Sequence, residues 1–481
     1  MVLSENFLLK DPLALHLYEK VKDLPVIDWH NHLCVHDLAA DRKYANLTEL
    51  WVEADPYKHR AMRICGVPEK YITGQASPRE KFQAWSKVLP LLAGNPLYHW
   101  SQLELKRVFG VEEELDESSA ERIWRIANEK LSLPAFSARG ILKRFSIEYA
   151  SPCAAIGDDL KDFSGLEGFS PSLRGDDLFL LSSALFKEAE TLEELRAVLR
   201  ERVKKFHDAG CRFADHALDA PFSCVPEDGK NEERFVRFKR GTLPEGERRA
   251  LSWAVLRFLA SLYGERNWTM QLHIGALRAT SSRLRQAAGP AGGYAGIGAP
   301  CDTGALAKLL DDLEKSPSGL PRTILYTLNP ADHAPFAVLS GSFPGEGEQG
   351  KVTLGPAWWY CDHIHGMKDC FEKIAAYGVL SVFPGMTTDS RSPLSFVRHE
   401  YFRRVFCAFL AEKAARDEMP SDFEILKNLA EKVCYSNAKA FLCAQKNKGE
   451  NKGSGKTVWP SLPGRGVLCV RRSPSILRKK G

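Results

Sequence analysis

The chain has 481 residues, 44% of them hydrophobic, with a formal net charge of +5. That length and apolar content can bury a large core; no run approaches the roughly 18 uninterrupted apolar residues of a membrane helix, and Glu5, Lys10 and Asp11 come too early for a signal peptide's apolar segment. The positive charge is concentrated beyond residue 444, where ten Lys/Arg accompany one Glu, so the body is slightly acidic and gives no reason to expect a nucleic-acid or membrane partner. The 12 cysteines show no C-x-x-C spacing and sit in apolar contexts, which reads as free thiols in a reducing, cytoplasmic compartment.

The first element is the apolar run Leu24-Pro-Val-Ile, continued by Asp28-Trp-His30-Asn-His32. Residues two apart on a strand share a face, so a strand over Leu24–Trp29 aims His30 and His32 together from its carboxyl end, a ready chelate for a divalent ion. A long helical stretch follows, with apolar residues three and four apart in Leu47–Trp51, Arg79–Trp85 and Ser119–Ile126. It exceeds any ordinary connection, and residues 33–145 are expected to form a helical subdomain inserted over one end of a barrel built from 1–32 and 146–444.

Short apolar runs then recur with helical segments between many of them: Ile147–Ala150, Gly168–Leu173, Cys211–His216, Thr269–Ile274, Thr323–Leu328, Lys351–Leu354 and Val379–Phe383. With the opening strand they make eight, and strands alternating with helices imply a parallel α/β sheet closed as a (β/α)8, TIM-like barrel. Polar residues cluster at the expected carboxyl ends: His30 and His32, Arg174, Asp215 and His216, His273, Asn329, Trp358 and Trp359, then Asp389 and Arg391. Barrel active sites form at that end.

Three other features carry less weight. A second pair, His363-Ile-His365, follows no apolar strand. Gly453-Ser-Gly-Lys-Thr457 ends like a phosphate-binding loop, but Glu450 stands where the first glycine is required. The glycines at 289, 292, 293, 296 and 298 read as a mobile barrel loop. Residues 445–481, rich in Lys, Gly and Ser with three prolines, are expected to be disordered and dispensable.

Several long stretches carry a family resemblance. YKHRAMRICGV (57–67), GNPLYHWSQLELKRVFG (94–110), GCRFADHALD (210–219), WTMQLHIGALR (268–278) and GMTTDSRSPLSFVRHEYFRR (385–404) resemble uronate (glucuronate) isomerases of the amidohydrolase superfamily, over about residues 5–443. The resemblance implies a distorted barrel of the amidohydrolase type with metal ligands at His30, His32 and Asp389. It implies one divalent ion, zinc by expectation, no organic cofactor, a hexuronate substrate and a homo-oligomer. Departures stand at Pro56, where the family has histidine, at Ser151-Pro-Cys-Ala-Ala155, at Ala299 and around Tyr360–His365.

Isomerising an aldose acid to its 2-keto form needs a base, an acid and positive charge near the oxyanion. On the resemblance, Tyr57 and Asp389 are the candidate proton carriers, with the phenol's pKa lowered by a metal or arginine nearby. Arg391 and Arg174 are candidate clamps for a carboxylate or oxyanion. His216, His273 and Trp358 are candidate substrate contacts, while Arg398, His399 and Glu400 read as structural. Three alternatives stay open: a mononuclear metal-dependent hydrolase, with a binuclear one disfavoured by the lack of a strand-four lysine and a second-site histidine; a sugar-acid isomerase of shifted specificity; and an inactive binding protein.

Overall fold

The computed structural model describes residues 3–443, so the basic tail lies outside the described residues. Seven parallel strands form one sheet in chain order. They are Val26–Asn31, Ile147–Ala155, Ser172–Arg174, Phe213–Leu218, Thr269–Ile274, Arg322–Thr327 and Val352–Leu354. Helices cover the sheet, and the first strand is buried along its whole length, its polar residues Asp28, His30 and Asn31 included. Pro25 has no N–H to give, and the ladder begins with Val26 N donating to Ser146 O at 3.0 Å. The strand therefore starts two residues later than expected and includes His30.

The eighth strand is absent from the sheet. Val379–Phe383, expected as a strand, contains a 3-10 turn over Leu380–Val382. The Asn437 side-chain amide donates to the carbonyls of Ser381 and Phe383 at 3.0 and 2.8 Å, taking the acceptors that a neighbouring strand would have paired. The gap is filled further along by an irregular segment that lies beside the first strand. Asp389 N donates to His30 O at 3.0 Å and His32 N donates to Ser390 O at 2.8 Å. Buried Asp28 pins this segment: its carboxylate accepts from Thr388 N, Thr387 Oγ1, the Asn31 amide and His399 Nε2, all between 2.9 and 3.1 Å. The barrel is distorted for that reason, and the eighth position is held by side chains more than by a ladder.

Between the first two strands the chain is helical, with seven α-helices from Val35–Ala39 to Ala138–Leu142. Their ends are set locally. Ser77 and Glu80 form a capping box on Pro78–Val88, and Gly110, at φ +61°, closes Pro96–Phe109 in the left-handed conformation that glycine adopts at little cost. These helices share one apolar core with the barrel's own helices. Pro96–Phe109 lies against Val397–Ala414, and Arg107 donates to both oxygens of Glu400 at 2.9 Å. Ten cysteines among the described residues are free, and no helix there is long and apolar enough to cross a membrane.

Candidate functional site

The carboxyl end of the sheet and the inserted helices enclose a cavity of about 300 Å3. His30 and His32, one inside and one just past the first strand, both turn Nε2 to Asp389 Oδ1, at 3.2 and 3.0 Å. Asp389 holds φ +50°, an uncommon conformation for a residue with a Cβ, and its other oxygen accepts from Trp358 Nε1 at 3.1 Å. Burial alone would raise this carboxyl, but the hydrogen bonds from the two imidazoles keep it well below the ordinary carboxylate range. Burial likewise opposes charge on His30, yet Cys153 and Asp389 outweigh it and raise His30 well above its ordinary value. Two imidazole nitrogens and one carboxylate oxygen converging from a barrel mouth fit a zinc-like ion by donor chemistry.

Behind this group lies a second layer. Asp215, fully buried, accepts from Arg174 Nη1 at 3.0 Å, Cys153 Sγ at 3.3 Å and Ser172 Oγ at 3.4 Å. Arg174 reaches Asp176 as well, at 2.6 Å. His273 pairs in register with Tyr326 on the adjoining strand and stacks on it with ring centres 4.4 Å apart. Burial and the nearby charge of His30 hold His273 well below its ordinary value, so it is neutral, and its Nε2 is buried without a partner. An unpaired ring nitrogen on a cavity wall is available to a ligand.

The inserted subdomain contributes Tyr57 from Pro56–Ile64. Asp55 caps that helix by accepting from Tyr57 N and Lys58 N, and Pro56 at its first position presets the backbone. The proline departure therefore strengthens the turn that presents Tyr57. The Tyr57 hydroxyl is buried without a partner beside the Arg398 guanidinium, which sits 5.8 Å from the ring. Its pKa is not lowered: burial raises it well above 10, and Arg398 offsets only part of that. The phenol keeps its proton. Arg398 is itself paired with buried Asp362 and lies 4.3 Å over Trp100.

The cavity brings together His30, His32, Tyr57, Arg174, His273, Trp358, Asp389 and Arg391. His216 does not join them. It points away from the sheet interior, its Nε2 bonds Tyr263 at 3.1 Å, and burial lowers its pKa to about 4. His363 caps the helix Ile364–Tyr377 by accepting from Gly366 N, and His365 is exposed on that helix, away from the cavity lining. Arg278, fixed by Asp219 at 2.8 Å, lines the cavity without any signal in the sequence reading. The Asp362–Arg398 pair was equally hidden, since its members lie on separate elements.

The glycine-rich segment is tied down. Ala276–Leu277 pairs with Gly296–Ile297, Arg60 donates to Ala295 O at 3.1 Å and Arg63 donates to Gly292 O. Gly293, at φ +79°, packs so closely that a Cβ would lie 2.2 Å from Pro56 O. Gly293→Ala is expected to lose about 1–3 kcal/mol in chemical denaturation and to raise KM by displacing the cavity roof. Wild-type stability and KM would contradict this packing.

A family model for glucuronate isomerase matches residues 1–442. The chain is 40% identical over 462 residues to a uronate isomerase of Geobacillus thermodenitrificans, covering 91% of this chain and 98% of that one. It is 38% identical to a uronate isomerase of Haemophilus influenzae, with 91% and 99% covered. Among solved structures it resembles a uronate isomerase from Thermotoga maritima, with TM-score 0.85, 29% identity, and 92% and 100% of the two chains covered. A putative metal-dependent hydrolase from Lactobacillus casei, at TM-score 0.50 and 14% identity over 89% of this chain and 98% of that one, shares the fold alone.

Proposed function

The chain belongs to the glucuronate isomerase family, and from that premise we propose that it interconverts D-glucuronate with D-fructuronate, and D-galacturonate with D-tagaturonate, by moving a proton between C2 and C1 through an enediol. One observation carries the reading to this substrate class. Arg391 lines the cavity with no ion-pair partner among the described residues, while Arg174 and Arg278 beside it are held by Asp215, Asp176 and Asp219. An unpaired guanidinium on the cavity wall suits an anionic sugar.

His30, His32 and Asp389 would hold one divalent ion, proposed as zinc, which when bound supplies Lewis acidity towards the sugar oxygens. A second ion at His30, Asp215 and His273, whose donor atoms also lie within 4.8 Å of one another, is disfavoured. Arg174 already neutralises Asp215 at 3.0 Å, and His30 cannot serve two centres. This argues for a mononuclear site.

The rest follows from this chain's own side chains. Asp389, ionised, takes the C2 proton on a carboxylate oxygen, where it exchanges with solvent, and delivers a proton to C1. Tyr57, protonated, donates from Oη to O1 as the aldehyde becomes a hydroxyl, and regains a proton from the 2-hydroxyl. No redox cofactor is needed, because hydrogen only changes position. Arg174 is occupied by Asp215 and Asp176 and contributes mainly its field. Arg391 has no ion-pair partner among the described residues and is free to grip the substrate carboxylate with both prongs.

Arg391→Lys is accordingly expected to lower kcat/KM by about 10- to 100-fold, the value of a charged hydrogen bond, mainly through KM. Unchanged steady-state kinetics would remove the clamp. The assignment itself is tested by incubating the metal-loaded protein with each aldose acid and assaying for ketose. Ketose from either supports it; ketose from neither overturns it.

A further inference from the structure

Beneath the metal-binding group, Cys153 occupies a position whose contacts give it a definite task. It lies near the carboxyl end of the second strand, paired in register with Ser172 of the third and close to the first, which carries His30. Its sulfur is 3.5 Å from His30 Nδ1 and 3.3 Å from Asp215 Oδ1. The opposite ring nitrogen, His30 Nε2, is the one turned to Asp389. Asp215, the thiol, the His30 imidazole and the place where an ion would sit therefore follow one another, with His32 also within the sulfur's reach.

Each member can satisfy the next. Asp215 is buried, and Arg174 and Ser172 fix its remaining contacts, so it accepts the S–H. The sulfur, having donated, accepts from His30 Nδ1–H. With Nδ1–H held on the sulfur, an ion can take the place of the proton that Nε2 shares with Asp389, which is the form in which imidazole binds a metal. Ligating histidines depend on such an outer partner to set ring orientation and basicity, and that partner is usually a carboxylate, a carbonyl or a water.

We propose that Cys153 is a positioning residue for the metal centre, a thiol relay from Asp215 that locks His30 in the Nδ1–H tautomer. The inference rests on His30 and His32 holding an ion. The same geometry raises a rival, since donor atoms of His30, His32 and Cys153 lie within 4.8 Å of one another and a sulfur so placed could bind the ion itself. The order of contacts favours the relay. The sulfur faces Nδ1, while Nε2 of both histidines faces Asp389.

The test is zinc binding and zinc-edge X-ray absorption on the full chain and on Cys153→Ala and Cys153→Ser. The relay predicts one ion in the wild type with only nitrogen and oxygen neighbours. It predicts zinc affinity reduced by about 10- to 100-fold in Cys153→Ala with unchanged thermal stability, and largely restored in Cys153→Ser, whose hydroxyl can both donate and accept. A sulfur neighbour at about 2.3 Å in the wild type would overturn the relay in favour of direct ligation. Equal affinity in wild type and Cys153→Ala would overturn it outright. A wild type that binds no zinc would overturn the metal reading beneath it.

Discussion

Asp389→Asn will lower kcat/KM by about a thousandfold or more and leave the fold intact. The substitution removes a charge from the group proposed to hold the ion and, with it, the proposed carrier of the C2 proton, and losses of such groups cost on the order of 10²–10⁴-fold each. Asparagine is the informative replacement. It keeps the side-chain shape, can still accept from Trp358, and tolerates the φ of +50° found here, which alanine does not. A far-ultraviolet spectrum and melting curve like the wild type's, with turnover gone, are the expected pair of results. Near-normal turnover would end the proposed role of this residue.

The second large effect is on stability. Arg398→Met is expected to cost about 3–5 kcal/mol at neutral pH, because it strands the Asp362 carboxylate in the interior without its counter-charge. Asp362 is 2% exposed and one of its oxygens already lacks a partner. Burial raises its pKa even with Arg398 present. Removing the arginine raises it further, so the folded variant takes up a proton that the unfolded chain at the same pH does not. The deficit should therefore shrink as pH falls through the raised folded value and be smallest near the ordinary carboxylate value of 3.8. Urea denaturation of the variant between pH 7 and 4 measures this, and a deficit independent of pH would show that Asp362 is not the cause. The double variant Arg398→Met/Asp362→Leu should recover much of the stability. It should not recover turnover, since the cation beside Tyr57 is still missing.

Strand ends proved the informative part of the sequence, for a physical reason. Parallel strands covered on both faces are apolar throughout, so a histidine, aspartate or arginine at the end of such a run stands out, and the fold gathers those ends in one place. His30, His32, Arg174, His273 and Trp358 come together in that way, and Asp389 reaches the same place on the irregular segment beside the first strand. The reading failed where alternation had to be resolved. Asp215 and His216 are neighbours on a strand and must face opposite ways; the sequence does not say which faces the barrel interior, and it is Asp215, buried behind the cavity. It failed again at Val379–Phe383, whose apolar content resembles a strand while its carbonyls are claimed by Asn437, more than 50 residues on. The ionisation of Tyr57 depends on burial and on Arg398, far along the chain, and the Cys153 relay on three separate strands. Neither leaves a local pattern.

Proton transfer on a hexuronate leaves a mark that nuclear magnetic resonance reads in the product formed in D2O. With D-glucuronate and the metal-loaded protein, the ketose is expected to carry deuterium at C1, because the proton on Asp389 exchanges with solvent before one is delivered to C1. A ketose wholly protiated at C1, or no ketose at all, would contradict it.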